Sequence, residues 1–236
     1  MFKTAANRIC IIKVDKQTEG SFDQFMKVLV AGANGKTGRL LIQYLKEDGH
    51  EPYGMVRKEE QKGTIESLGG IPVLADVTKD VGHGVKGMDA VIFAAGSGSS
   101  TGPEETVRVD QEGAINLIKH TEEFGMTKFV MLSSIAAGDP SRVDENMRHY
   151  MEAKGKADEY LQSTELDYTI VRPGGLTDGE STSKITVGDT VDFGEIPRAD
   201  VAKTIIAALQ EPNAFHKAFE VISGDTQIEE ALKTLR

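Results

Sequence analysis

The stretch VLVAGANGKTGRLL, Val28 to Leu41, sets three glycines, Gly32, Gly35 and Gly38, between an apolar run and the start of an amphipathic segment. A GxxGxxG loop at such a junction has a physical purpose. Glycines permit the tight turn and let the backbone approach a pyrophosphate, whose charge rests against the N-terminus of the helix that follows. The spacing alone also fits an ordinary strand-to-helix turn. Its place after the first regular strand and before an amphipathic helix favours a dinucleotide loop, with Gly32, Asn34, Gly35, Lys36, Thr37 and Gly38 as candidate contacts.

Outward from this loop the chain alternates. KVLVAG, EPYGMVR, IPVLAD, DAVIFAAG, KFVMLSS and YTIVRPGG are short apolar runs without strict alternation, the signature of strands buried on both faces. GRLLIQYLKEDG, EETVRVDQEGAINLIKHTEEFG and YMEAKGKADEYLQST carry apolar residues at helical spacing between them. The rhythm predicts an α/β fold: a doubly wound parallel sheet of Rossmann type with right-handed crossovers. After Gly175 it loosens, then gives a helix VAKTIIAALQ, a strand AFEVIS and a terminal helix, read as a small C-terminal substrate-side subregion. Residues 1–26 fit poorly and are read as an extension of unknown role, with RICIIKV as an optional added strand; 27–236 reads as one domain.

Bulk composition narrows the function classes. The net charge of -10, from 27 basic and 37 acidic residues, repels a phosphate backbone, so no nucleic-acid partner is expected. The single cysteine and the lack of Cys/His spacing argue against disulfides and metal, and suit a cytoplasmic protein. No run approaches the roughly 20 apolar residues of a membrane span, and no secretory leader is recognised, so no membrane association is expected.

The end of the second strand decides which dinucleotide is expected. In place of the acid that binds ribose hydroxyls, it carries Arg57 and Lys58 in MVRKEE, and a guanidinium suits a 2′-phosphate. NADP is therefore expected over NAD, although an ordinary solvated arginine also fits. Further on, Tyr150 and Lys154 stand four apart and share a helix face. A nearby ammonium stabilises a phenolate, which is what proton transfer beside a hydride carrier needs. The same spacing fits a half-buried tyrosine beside a solvated lysine.

With these residues in view, the chain from about Met26 onward resembles the short-chain dehydrogenase/reductase superfamily, in its atypical branch near the NAD-dependent epimerase/dehydratase type. Carrying the resemblance are the glycine loop, ADV at Ala75 to Val77, AAG at Ala94 to Gly96, SS at Ser133 and Ser134, YMEAK, RPGG at Arg172 to Gly175, and PRADVA at Pro197 to Ala202. It implies that Asp76 and Val77 meet the adenine, Ala94, Ala95 and Gly96 line a ribose, and Pro173 and Gly174 lie beside the nicotinamide. It also implies Tyr150 as proton donor, Lys154 as ribose ligand and Ser134 as the hydroxyl orienting a substrate carbonyl, with Ser133 as substitute. Asp110 stands where many members carry an asparagine; it reads either as a solvated helix charge or as a carboxylate paired with Lys154 in place of the usual relay.

The short C-terminal part leaves little material for gripping a large substrate, so a small molecule is expected. Two function classes stand: an NADP-dependent oxidoreductase or epimerase/dehydratase-like enzyme, and an NADP-binding sensor in which catalysis has faded. A flavin or quinone reductase falls within the first.

Overall fold

The computed structural model describes residues 25–98 and 102–236. The RICIIKV segment lies outside the described residues. Met26 is buried, and its carbonyl accepts the Glu51 N–H at 2.9 Å.

The elements run β1 (Lys27–Ala31), α1 (Lys36–Glu47), β2 (Glu51–Val56), α2 (Lys62–Ser67), β3 (Ile71–Leu74), α3 (Gly82–Val85), β4 (Ala90–Phe93) and α4 (Pro103–Thr106). They continue with α5 (Ala114–Glu123), β5 (Lys128–Leu132), α6 (Glu145–Gln162), β6 (Asp167–Pro173), β7 (Gly175–Thr177), β8 (Lys184–Gly188) and β9 (Glu195–Pro197). Last come α7 (Arg198–Ala208), β10 (Lys217–Ser223), β11 (Thr226–Gln227) and α8 (Ile228–Leu232). The main sheet has the order β3-β2-β1-β4-β5-β6-β10-β8-β11. Its first seven members are parallel, and β8 runs antiparallel to both β10 and β11. The predicted doubly wound sheet is therefore present, and the strand order reverses between β1 and β4.

Both faces of this sheet are covered, which explains the unbroken apolar runs. Along β1, Val28 and Val30 enter a core with Leu41, Ile42 and Leu45 of α1 and Ile205 of α7. Leu29 and Ala31 enter the opposite core with Leu117 and Ile118 of α5 and Leu161 of α6. Each such leucine or isoleucine contributes roughly 1.5–3 kcal/mol by leaving water. Helix α1 ends in a left-handed Gly49 (φ 85°), where the His50 N–H reaches back to the Leu45 carbonyl at 2.9 Å.

Two regions depart from the sequence reading. The long helix expected over EETVRVDQEGAINLIKHTEEFG is α4 and α5 joined by a π-helical segment, Val107–Gly113, whose extra residue per turn shifts the side-chain phase. After Gly175 the loosened rhythm hides β7, β8, β9 and β11. Strands of two or three residues are too short to show a period, and among the described residues β7 and β9 pair only with each other, as a parallel ribbon.

The segment between β7 and β8 is tied down by Asp200, buried near the start of α7. Its carboxylate accepts from the Ser181 hydroxyl (2.5 Å), the Thr182 amide and hydroxyl (both 3.1 Å) and the Ser183 amide (2.8 Å). Burial by itself would raise the Asp200 pKa; the Ser181 hydroxyl and the two amides outweigh it and hold the carboxyl below the usual range. Because the folded value is depressed, the resulting stability is complete above the unfolded carboxylate pKa and vanishes as pH falls through the folded one. Asp200→Ala is expected to cost about 2–4 kcal/mol at neutral pH, by stranding several donors. Denaturant unfolding at pH 7 and at acid pH checks this: the gap from wild type should narrow in acid, and an equal gap at both values would contradict the assignment.

Candidate active site

The reversal of strand order between β1 and β4 opens a crevice at the carboxyl ends of the strands, where doubly wound sheets bind ligands. Gly32 makes the turn there with φ 82°, and a Cβ on it would lie 2.6 Å from the Ala95 backbone. A Cβ on Gly38 would lie 2.2 Å from the Gly32 carbonyl oxygen, so the glycines let α1 start hard against the loop. Helix α1 begins behind Gly35 with no side-chain cap and no acidic residue in its first turn. Its first amides are free for an anion, so the residues present fit a pyrophosphate.

Two cavities of about 270 Å³ each share Gly35 and Ala94, Ala95 and Gly96 as a common wall. The first runs over Gly32, Asn34, Met55, Val56, Arg57, Gln61, Asp76 and Val77. The second contains Lys36, Thr37, Gly38, Ser133, Tyr150, Lys154, Leu176 and Arg198. The glycine loop thus lies between a partly apolar end holding Arg57 and Asp76 and an end holding the tyrosine and lysine.

At the first end, the Gln61 side-chain oxygen accepts from the Arg57 and Lys58 amides at 3.0 and 3.2 Å. Its NH₂ group is thereby left as a donor in a cavity that Arg57 also lines. Asp76 caps its own turn, accepting from the Thr78 amide (3.0 Å) and hydroxyl (2.9 Å). Burial pushes its pKa up, but those Thr78 bonds and the nearby Arg57 bring it below the usual carboxylate range. Lys58 is not among the lining residues, and its ammonium sits 3.8 Å from Glu60.

At the other end, Tyr150 and Lys154 lie one turn apart on α6, with the ammonium 5.9 Å from the tyrosine ring centre. Lys154 is buried; Nζ lies 3.1 Å from Asp110 Oδ1 and donates to the Leu132 carbonyl at 3.3 Å. Asp110 is fully buried at the middle of the π-helical segment, where its other oxygen accepts the Ser97 N–H at 2.9 Å. Of the two sequence readings of Asp110, the solvated helix charge is therefore set aside and the pair with Lys154 is what the fold builds. Burial pulls the Lys154 pKa down, but the neighbouring oxygens of Tyr150 and Asp110 outweigh it and leave the ammonium above its ordinary value.

The two serines are not equivalent. Ser133 Oγ donates to the buried Asp158 at 2.9 Å, and Arg172 Nε donates to the same oxygen at 2.9 Å. A hydroxyl has one proton, so Ser133 in this arrangement can accept from a ligand but not donate to one. Ser134 is half-buried and outside the cavity lining. Pro173 and Gly174 also lie outside both linings. The Pro173 carbonyl accepts the Ile135 N–H at 2.8 Å, and the Gly174 N–H donates to Val221 at 2.9 Å, so both join strand ends.

The sequence reading missed Gln61, Asp158 and Arg198. Asp158 follows Lys154 by four residues and shares its helix face, a legible signal, whereas Arg198 was visible only as part of PRADVA. No spacing rule singles out Gln61. Among the described residues no cluster of His, Cys, Asp or Glu could hold a metal ion, and no helix is long and apolar enough to cross a membrane.

A family model described as NAD(P)H-binding matches residues 32–212. An uncharacterized sugar epimerase, YhfK, of Bacillus subtilis (strain 168) is 41% identical over 214 residues, covering 89% of this chain and 100% of that protein. Among solved structures, a Bacillus halodurans protein assigned to the NAD-dependent epimerase/dehydratase type is 45% identical with a TM-score of 0.86, over 89% of this chain and 100% of that one. The oxidoreductase ylbE of Lactococcus lactis is 30% identical with a TM-score of 0.81, over 89% and 96% of the two chains.

The ion pair at the cleft makes a measurable prediction. Asp110→Ala leaves the Lys154 ammonium buried without its partner and is expected to cost about 3–5 kcal/mol. The double variant Asp110→Leu/Lys154→Met should cost clearly less than the sum of the two single changes in urea unfolding. Additive costs would show that the two groups do not act as a pair.

Proposed function

The chain belongs to the NAD(P)H-binding family, and on that premise we propose that it is an NADP-dependent oxidoreductase or epimerase/dehydratase-like enzyme of the atypical short-chain dehydrogenase/reductase branch, acting on a small substrate. The observation that carries this reading is the pair of cavities that share Gly35 and Ala94 to Gly96, with Arg57 and Gln61 in one and Tyr150 and Lys154 in the other. The residues suited to the cofactor are Gly35 to Gly38 for the diphosphate, Ala94 to Gly96 for a ribose, and Arg57 with Gln61 for a 2′-phosphate. When bound, the nicotinamide supplies or accepts a hydride at its C4.

The chain's own part is positional and protonic. Lys154, fixed by Asp110 and the Leu132 carbonyl, presents its remaining donor capacity toward the cleft. Tyr150 stands where a phenol can give a proton to a substrate oxygen or take one from it. Ser133, oriented by Asp158, offers an acceptor lone pair. Leu176 supplies an apolar wall for the substrate.

The buried Asp110–Lys154 pair also favours a second reading, an NADP-binding sensor with little turnover, because the lysine charge is already answered by a carboxylate. Titration calorimetry with NADPH and NADH tests the cofactor assignment. NADPH should bind at least about tenfold more tightly, and Arg57→Ala should bring it close to the NADH value. Equal affinities in the wild type would remove the NADP assignment. Tyr150→Phe then separates the two functions: for an enzyme, turnover of a screened carbonyl substrate falls by at least about a hundredfold while NADPH affinity holds. Turnover that survives the change would remove Tyr150 from the chemistry. A wild type with no turnover, but with a protein partner that distinguishes NADP from NADPH, would favour the sensor.

A further inference from the structure

Lys36 and Arg198 meet where α1, α7 and the segment after β7 converge, and both line the cavity that holds Tyr150 and Lys154. They also line a second, outer cavity of about 570 Å³, in which Asp178 takes part although it is not among the residues lining the cleft. Asp178 binds both cations: Oδ2 lies 2.6 Å from Lys36 Nζ, and Oδ1 lies 2.5 Å from Arg198 Nη1. The two cations therefore stand between the cleft and an external carboxylate.

This carboxylate is held loosely although the chain around it is not. The Asp178 and Lys36 side chains are 60% and 70% exposed, against 22% for Arg198. On one side of Asp178, β7 is paired with β9; on the other, Ser181 to Ser183 are bound to buried Asp200. Only the short exposed span between these anchors has to adjust for Asp178 to let go. The Lys36–Asp178 pair, exposed on both sides, is weak, and the Arg198 pair rests on the same exposed carboxylate, so an anion of higher charge competes well. On the cleft side, the first turn of α1 adds unpaired amides and no carboxylate.

We propose that Lys36 and Arg198 form an oxyanion-binding gate on the cleft, with Asp178 as an exchangeable internal counter-ion. An incoming phosphate or carboxylate takes over both cations, and Asp178 is released into the outer cavity. The inference rests on the reading of the cleft as a dinucleotide site. The favoured source of the oxyanion is the cofactor's diphosphate, because Lys36 directly follows Gly35 at the start of α1; an acidic group on the substrate has the same chemistry.

Calorimetry on the full chain and on Asp178→Asn and Arg198→Gln, with NADPH, inorganic pyrophosphate and adenosine 2′-monophosphate, tests the gate. Asp178→Asn should tighten NADPH and pyrophosphate by about three- to tenfold, and Arg198→Gln should weaken both by a similar factor. Adenosine 2′-monophosphate, which lacks the diphosphate, should bind all three proteins alike. Melting curves confirm folding, and Lys36→Gln replaces Arg198→Gln if that variant fails to fold. If NADPH and pyrophosphate ignore the substitutions while malonate binds the NADPH-loaded Asp178→Asn protein more tightly than the loaded wild type, the gate stands and the oxyanion is the substrate's. Should NADPH not bind the wild type at all, the dinucleotide reading fails, and the pyrophosphate comparison decides the gate alone. The gate is overturned if Asp178→Asn weakens these ligands as Arg198→Gln does, or if neither substitution moves any affinity.

Discussion

The buried ion pair between Lys154 and Asp110 is the constraint around which the site is built. Neither charge could remain in the interior without the other. Their pairing fixes α6 against the segment before α5, and with it the place of Tyr150 one turn earlier. The π-helical phase of Val107–Gly113 brings Asp110 inward, and the Ser97 N–H, four residues after β4, engages its second oxygen. A single pair thus joins a helix, a π-helical segment and a strand end, all on the rim of one cleft.

The same device recurs close by. Asp158 of α6 holds Ser133 and Arg172 together, tying the end of β5 to β6. Glu220 of β10 is buried beside Arg142 and accepts the Ala136 and Val191 amides, both at 2.9 Å. This carboxylate supports the left-handed Ala136 (φ 65°) just beyond the serines, an unfavourable conformation for a residue with a Cβ. Asp200 grips the strap before β8. The loops around the cleft are fixed by buried carboxylates. Asp178 differs in being exposed, which suits a group that exchanges partners rather than one that holds them.

Much of the fold was legible because buried parallel strands must be apolar on both faces, and helices covering them on one. Val28 to Val30 and Ala90 to Phe93 are apolar throughout for that reason, and Leu41, Ile42 and Leu45 mark the inward face of α1. The glycine loop was legible because backbone crowding at Gly32 and Gly38 excludes any side chain. Strands β7, β9 and β11 were not legible, since two or three residues carry no period and their pairing depends on what lies alongside.

The sequence by itself determined the doubly wound sheet, the dinucleotide loop and the helical adjacency of Tyr150 and Lys154, because each follows from local periodicity or from spacing along one element. Tertiary structure alone decided that Asp110 is the lysine's partner, that Ser133 spends its proton on Asp158, and that Lys36 and Arg198 share Asp178. Those relations join residues distant in the chain. Their energies depend on burial and on hydrogen-bond direction, which exist only once the strands have brought their ends together.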